Sequence, residues 1–537
     1  MLPERLVGAT CPRSSPVQTG GVVGRHRGTA AGQCRAQWAR THIREGPSVA
    51  RRDADHPTRK RARRRGPGRV ALALPVLLVA GLVGGAVAAD EYRWGPTHLG
   101  WKGGDPGKDP AAVALPGGLD LPRVEEPDEV AEAAPVTPLD PDAVRRALAP
   151  RLGDDDLGPH VVAAVAALDG TEPVFARGKD PLLPASTTKL LTAVAALRTL
   201  GPGATFDTTV VEGGLGEIVL VGGGDPLLAS EPDPDAWPVR ADLRTLAERT
   251  ADGLRQRGLA RVKLSYDASL FTGPAVNPHW EPSYVPDQVV SPITALWADS
   301  GHDPSGWGRV EDPARAAAVV FAKALRRAGV KVTGVAPGTA PERAEEVADV
   351  TSPPVDQIVQ RLLDVSDNET TEVMLRHVGR VALGEASSAA GTRAVGEVLS
   401  NLAVDLTGWK QYDGSGLSRD NRFAARTLVD VLRIASSPDN PDLRAVVEGL
   451  PVAGFTGSLT SRFDDQRDGL GRVRAKTGTL TGVHALAGIV TGADGVPMIF
   501  VVAADKVSPA KSLDARSALD GAAAALASCS CGVGSGS

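Results

Sequence analysis

The chain reads as an α+β protein in which an antiparallel sheet is flanked by helices and a long region is inserted between the first and second halves of the fold. Three observations point there. An unbroken apolar run, Leu190 to Leu197, follows a helix-start sequence, Pro184-Ala185-Ser186-Thr187-Thr188-Lys189. Near the C-terminus, 472–479, 484–490 and 496–503 form a strand meander around an Ala493-Asp494-Gly495 turn and end in an Ala-rich helix after Leu513. Between the two lie short strand patterns and Gly/Pro loops from 206 to 350, which read as the insert.

The elements follow in order. Residues 1–69 carry 16 Lys/Arg against 4 Asp/Glu and read as a basic, disordered cytoplasmic tail, part of which reads as an upstream extension of the native start. The charge-free stretch 70–89 comes directly after Arg59, Lys60, Arg61, Arg63, Arg64, Arg65 and Arg69. It is expected to be a transmembrane anchor or signal segment, with basic residues inside and the acidic bulk of the chain exported. Ala86-Val87-Ala88 also fits a signal-peptidase site, and the length of the segment favours an uncleaved anchor. Residues 90–139 are rich in Pro, Gly and acid and read as a linker. Asp140-Pro141-Asp142 then caps a helix. The expected organisation is a first catalytic part at 140–205, with a two-strand hairpin at 160–176, the insert at 206–350, a second catalytic part at 351–525, and a flexible tail at 526–537. Helical spacing returns at Val355, Ile358, Val359, Leu362 and Leu363, and again from Thr371 to Val381, leaving Ser366-Asp367-Asn368 as the loop between.

Cys11 and Cys34 precede the apolar segment, and Cys529 and Cys531 lie in a Gly/Ser-rich tail, so the exported core contains no cysteine. This argues against a disulfide framework or cysteine metal site there, and the nine histidines lack a His-Glu-x-x-His arrangement. No metal and no cofactor is expected, and the basic run reads as topogenic rather than as a nucleic-acid site.

Ser186 and Lys189 are three apart, so on a helix they share a face within hydrogen-bond reach, where a lysine amine can activate a hydroxyl. Ser508 and Lys511 have the same spacing, but nothing downstream completes a set. After Ser186-x-x-Lys189 come Ser366-x-Asn368 and Lys476-Thr477-Gly478, in that order. Together they offer what acyl transfer needs: a nucleophile, a base, a proton relay and a holder for substrate. Lys189 can accept a proton only when neutral. Desolvation, a second ammonium such as Lys476, and a helix N-terminus would all lower its pKa. His484 reads as a packing residue, and Trp280, Trp297 and Trp307 as buried aromatics or the lining of a side-chain pocket.

With these three motifs the chain resembles the penicillin-binding proteins and serine β-lactamases. More closely, it is similar to the D-alanyl-D-alanine carboxypeptidase/endopeptidase family of the penicillin-binding protein 4 type, peptidase family S13. Further matches are Gly222-Gly223-Gly224-Asp225-Pro226-Leu227, Asp267-Ala268-Ser269-Leu270-Phe271 and the loop Asp413 to Arg419, and the resemblance spans about 140 to 525. It implies Ser186 as nucleophile, Lys189 as base and Ser366 as a proton relay bridging Lys189 and Lys476. It also implies Asn368 as a holder of a substrate amide, Lys476 with Thr477 as a clamp for a terminal carboxylate, Gly478 as a site of close approach, and the backbone N–H groups of Ser186 and Thr479 as the oxyanion hole. The implied partners are peptidoglycan stem peptides, with β-lactams as covalent inhibitors. A serine β-lactamase and a non-catalytic cell-wall peptide-binding scaffold are the alternatives.

Overall fold

The computed structural model describes residues 137–178, 181–303 and 308–533. Asp140 accepts a hydrogen bond from Asp142 N at 2.8 Å and starts α1 (Pro141–Leu152), whose Val144, Leu148 and Leu152 recur on one buried stripe. A hairpin follows, β1 (Val161–Ala167) and β2 (Phe175–Arg177). A 3-10 turn at Ala185–Thr188 then runs into α2 (Lys189–Leu200), buried continuously from Lys189 to Leu197. Such an all-round apolar helix belongs in the middle of a fold. Here it packs against the later helices α5 (Val355–Asp364), α6 (Asn368–Leu383), α7 (Ser388–Asn401) and α8 (Ala425–Ser436), and α7 also lies on α6.

The chain ends in β8 (Val473–Leu480), β9 (Val483–Thr491), β10 (Pro497–Ala504) and α10 (Ser512–Ala527), with the short α9 (Arg444–Glu448) before them. Together with the first hairpin these strands form an antiparallel sheet ordered β2-β1-β10-β9-β8. Alternate side chains serve opposite faces. Ala163, Val165, Phe500 and Val502 pack towards α1 and α10, while Val162, Ala164, Val501 and Ala503 pack towards α2 and α8. Strand β8 is an edge of this sheet and has a strand neighbour on one side only.

The insert has its own sheet, ordered β6-β5-β4-β3-β7, from β3 (Asp207–Gly214), β4 (Glu217–Val221), β5 (Arg261–Asp267), β6 (Lys331–Pro337) and β7 (Glu346–Thr351). Strands β4, β5 and β6 run parallel, because α3 (Leu243–Gln256) and α4 (Pro313–Arg327) provide the crossovers that parallel neighbours require. The stretch 271–297 turns back to the catalytic part instead. Trp280, Val290, Ile293 and Trp297 pack with Val373 and Leu417. Both tryptophans are buried, and their indoles donate to Asp413 Oδ2 and Asp225 O. Trp307 lies outside the described residues.

Of the stretch expected as a flexible tail, 526–537, the described residues up to 533 are held instead. Helix α10 runs to Ala527, Cys529 and Cys531 are joined by a disulfide, Cys531 is fully buried, and Gly532 bridges to Leu139. Its apolar residues have somewhere to go, since α1 and α10 pack together. The apolar segment 70–89 lies outside the described residues. Among the described residues no helix is long and apolar enough to cross a membrane.

Candidate active site

All three motifs converge on one centre. Pro184 and Ala185 bring the chain into the 3-10 turn, and Ala185 takes a positive φ of 47°. A side chain in that region costs about 1–3 kcal/mol, which surrounding structure must offset. Thr187 and Thr188 hydroxyls brace the turn by donating to Pro184 O and Ala185 O, both at 2.7 Å. Ser186 remains half-buried and accessible, while Lys189 beneath it is fully buried.

The ammonium of Lys189 donates to Ser186 Oγ at 3.0 Å, Asn368 Oδ1 at 2.8 Å and Ser415 O at 2.7 Å. Burial pulls its pKa down to about 8, against the opposing pull of Asp413, Glu372, Asp367 and Glu369. Lys476, on β8, is equally buried and donates to Ser366 Oγ at 2.8 Å and Thr477 O at 3.0 Å. Burial first, and then the charge of Lys189, hold Lys476 well below the usual lysine range. The Thr477 hydroxyl is 3.0 Å from Ser458 Oγ, and Thr479 is exposed at the strand edge. Gly478 is where β8 meets the nucleophile turn: a Cβ there would sit 2.8 Å from Pro184 O. The close approach is therefore first to the protein's own backbone.

Two expectations are corrected. Ser366 bonds Lys476, whereas Lys189 is bonded to Asn368, two residues along. Asn368 is the first residue of α6 rather than part of a loop, because Asp367 caps that helix by accepting from Thr370 N at 2.9 Å. Its Oδ1 is thus aimed at Lys189, and its Nδ2 donates to Val289 O at 3.1 Å. As expected, burial is the largest cause of the lowering of Lys189, and it is also the largest cause for Lys476. Ser366 itself has φ 60°, a second strained residue in the centre.

Glu372, which sequence reasoning passed over, and Asp413, in the loop matched to the family, organise the remaining wall. Glu372 is one helical turn after Asn368 and on the same face. Its Oε1 accepts from Gly414 N, Ser415 N and Ser415 Oγ at 2.9, 2.8 and 2.6 Å, which aims the Ser415 carbonyl at Lys189. Asp413 accepts from Gly416 N, Ser418 N, Asn421 Nδ2 and the Trp280 indole. Gly416, at φ 84°, lies so close to Ala185 O that a Cβ would overlap it. An acidic residue at helical spacing from the Ser-x-Asn motif was the available signal for Glu372, and the matched loop was the signal for Asp413, which braces it. The decoy lysine, Lys511, pairs with Asp156 at 2.6 Å on the surface. His484 is buried against Ser512 Oγ at 2.9 Å, as a packing residue would be.

The sequence profile of the D-Ala-D-Ala carboxypeptidase 3 (S13) family matches residues 144–304 and 302–526. The chain belongs to this family. It is an enzyme of the serine-type D-Ala-D-Ala carboxypeptidase class. A carboxypeptidase of Mycobacterium tuberculosis is 37% identical over 401 residues, 72% of this chain and 84% of that protein. Carboxypeptidase DacB of Mycolicibacterium smegmatis is 36% identical over 416 residues, 74% and 88% of the two chains. The crystal structure of penicillin-binding protein 4 from Haemophilus influenzae shares the fold, with a TM-score of 0.57 at 21% identity over 71% of this chain and 98% of that one.

Proposed function

We propose that this S13 carboxypeptidase is exported and works as both carboxypeptidase and endopeptidase on peptidoglycan stem peptides, through an acyl-enzyme on Ser186 that β-lactams trap. The bond between Ser186 Oγ and Lys189 carries the reading. A neutral amine has two N–H donors and one lone pair. Asn368 Oδ1 and Ser415 O take the two donors, which leaves the lone pair for the Ser186 proton. With a pKa of about 8, roughly a tenth of the enzyme carries the neutral form at pH 7.

Ser186 Oγ bonds to the carbonyl carbon before the terminal D-alanine, and its proton goes to Lys189. The Ser186 and Thr479 N–H groups receive the oxyanion, an interaction often worth about 10²–10³ in rate. The C–N bond then breaks as Ser366 passes its proton to the leaving amine and regains one from Lys476, to which it is bonded. Water attacks the ester; Lys189 returns its proton to Ser186, the proton lost by the water restores Lys476, and the shortened peptide is released. Lys476 and the Thr477 hydroxyl hold the terminal carboxylate, whose charge favours the protonated form of Lys476. The basic run ahead of 70–89 supports export of the catalytic part, with that segment as anchor or signal.

The test is release of D-alanine from a peptide ending in D-Ala-D-Ala, with fluorescent penicillin labelling alongside. Ser186→Ala is expected to lose both completely, and labelling that persists would assign the nucleophile elsewhere. Rapid multiple turnover of the penicillin would mark a β-lactamase instead.

A further inference from the structure

Where the insert meets the catalytic part, a cleft of about 600 Å³ has Trp237, Val239, Arg240, Arg249, Pro354 and Gln357 in its lining. Trp237 is 58% exposed, the only exposed tryptophan among the described residues, and Val239 beside it is 70% exposed. Single apolar side chains in water are ordinary, but an indole and a valine grouped in a cleft mark a binding surface. The polar groups around them are donors. The one lining carboxylate, Asp242, is engaged in capping α3, accepting from Thr245 N and Thr245 Oγ, both at 2.7 Å. Arg249 Nη1 donates to Asp349 O at 2.8 Å, which leaves it further N–H groups, and Arg240 Nε is buried without a hydrogen-bond partner. A second cavity, of about 370 Å³, shares Arg240 with the first and takes in Arg361, Val365 and Asp367, the last two on either side of Ser366. The two cavities therefore adjoin along α5, from Pro354 at its start to Val365 just past its end.

We infer that this groove holds the glycan strand to which the substrate peptide is attached. The inference rests on the peptidase reading of the neighbouring centre. An indole presents a flat apolar face to the C–H face of a sugar ring, while guanidinium and carboxamide groups bond its hydroxyl and acetamido oxygens. An aromatic wall with a few aimed polar groups is how a pocket fixes a ligand of this kind. A cation finds no free carboxylate in the cleft, because Asp242 is engaged. The reach fits as well. Helix α5 has 10 residues and so is about 15 Å long, and four to five extended peptide residues cover about the same length. A peptide that reacts at the centre beside Ser366 can therefore have its sugar-bearing N-terminal end at Trp237.

Two substrates carrying the same peptide ending in D-Ala-D-Ala test this, one as the free peptide and one borne on a short glycan of N-acetylated amino sugars. The full-length protein is expected to release D-alanine from the glycan-borne peptide with kcat/KM roughly tenfold higher, the size of one well-placed aromatic contact. In Trp237→Ala, a change at an exposed position, and in Arg240→Gln, the ratio of glycan-borne to free peptide is expected to fall towards one. Equal kcat/KM for the two substrates in the parent protein, or a ratio that survives both substitutions, overturns the glycan groove alone. Failure to release D-alanine from either substrate overturns the peptidase reading and the groove with it.

Discussion

The two five-stranded sheets of this protein solve the same packing problem under different constraints. In the insert, every Lys and Arg of α3, α4, β5 and β6 is exposed, and the buried stripe of α4 is Ala314, Ala317, Ala318, Phe321 and Leu325. Its two helices are capped by Asp242 and Asp312. The sheet of the catalytic part is as well filled, yet buries Lys189 and Lys476 outright and is joined by Glu372 and Asp413. It also keeps Ala185 and Ser366 at positive φ. Desolvated charge and bent backbone both cost stability. Among these elements the insert buries no lysine or arginine, its buried Asp242 and Asp267 bond backbone N–H groups, and no non-glycine residue takes a positive φ, so its residues report on folding, while those of the catalytic centre report on chemistry at some expense to folding.

The separation can be broken from either side. Phe321→Ala empties a fully buried position in the insert and is expected to lower stability by about 3–5 kcal/mol in denaturant unfolding. The penicillin acylation rate per folded molecule is expected to stay the same; a parallel loss of acylation would mean that the insert tunes the centre. Next in size is Lys476→Ala. It is expected to reduce kcat/KM roughly 10²-fold for peptides with a free terminal carboxylate and far less for peptides with an amidated end. Equal loss on both would remove the clamp from the account. The smallest effect sharpens the contrast through pH. Because burial depresses Lys189 to about 8, the neutral base accumulates as pH rises, and acylation is expected to climb about tenfold from pH 7 before levelling above 8. A flat profile from pH 6 to 9 would assign the base to another group.

Much of this was legible in the residues. The Asp140 cap, the apolar strand runs around the Ala493-Asp494-Gly495 turn and the apolar run of α2 are local signals, and each element formed where those signals put it. The three motifs supplied the site because their order carried information that no single motif has. What escaped depends on contacts far apart in sequence. Lys189 reaches Ser415 across 226 residues, and the aim of that carbonyl is set by a glutamate from yet another segment. The parallel crossovers of the insert, and the anchoring of Cys531 under α1, likewise depend on partners that periodicity cannot name.

Strand β8 has one more consequence. Pro451 and Ala453 bond its first residues, Ala475 and Val473, and the rim beyond them has no strand partner; on the proposed reading a peptide ligand would lie there as an added strand, and bare rims are also where unrelated chains join and proteins clump on warming. A drug covalently seated along that rim would therefore silence the enzyme and, by occupying the same hydrogen-bonding groups, shield it from aggregation.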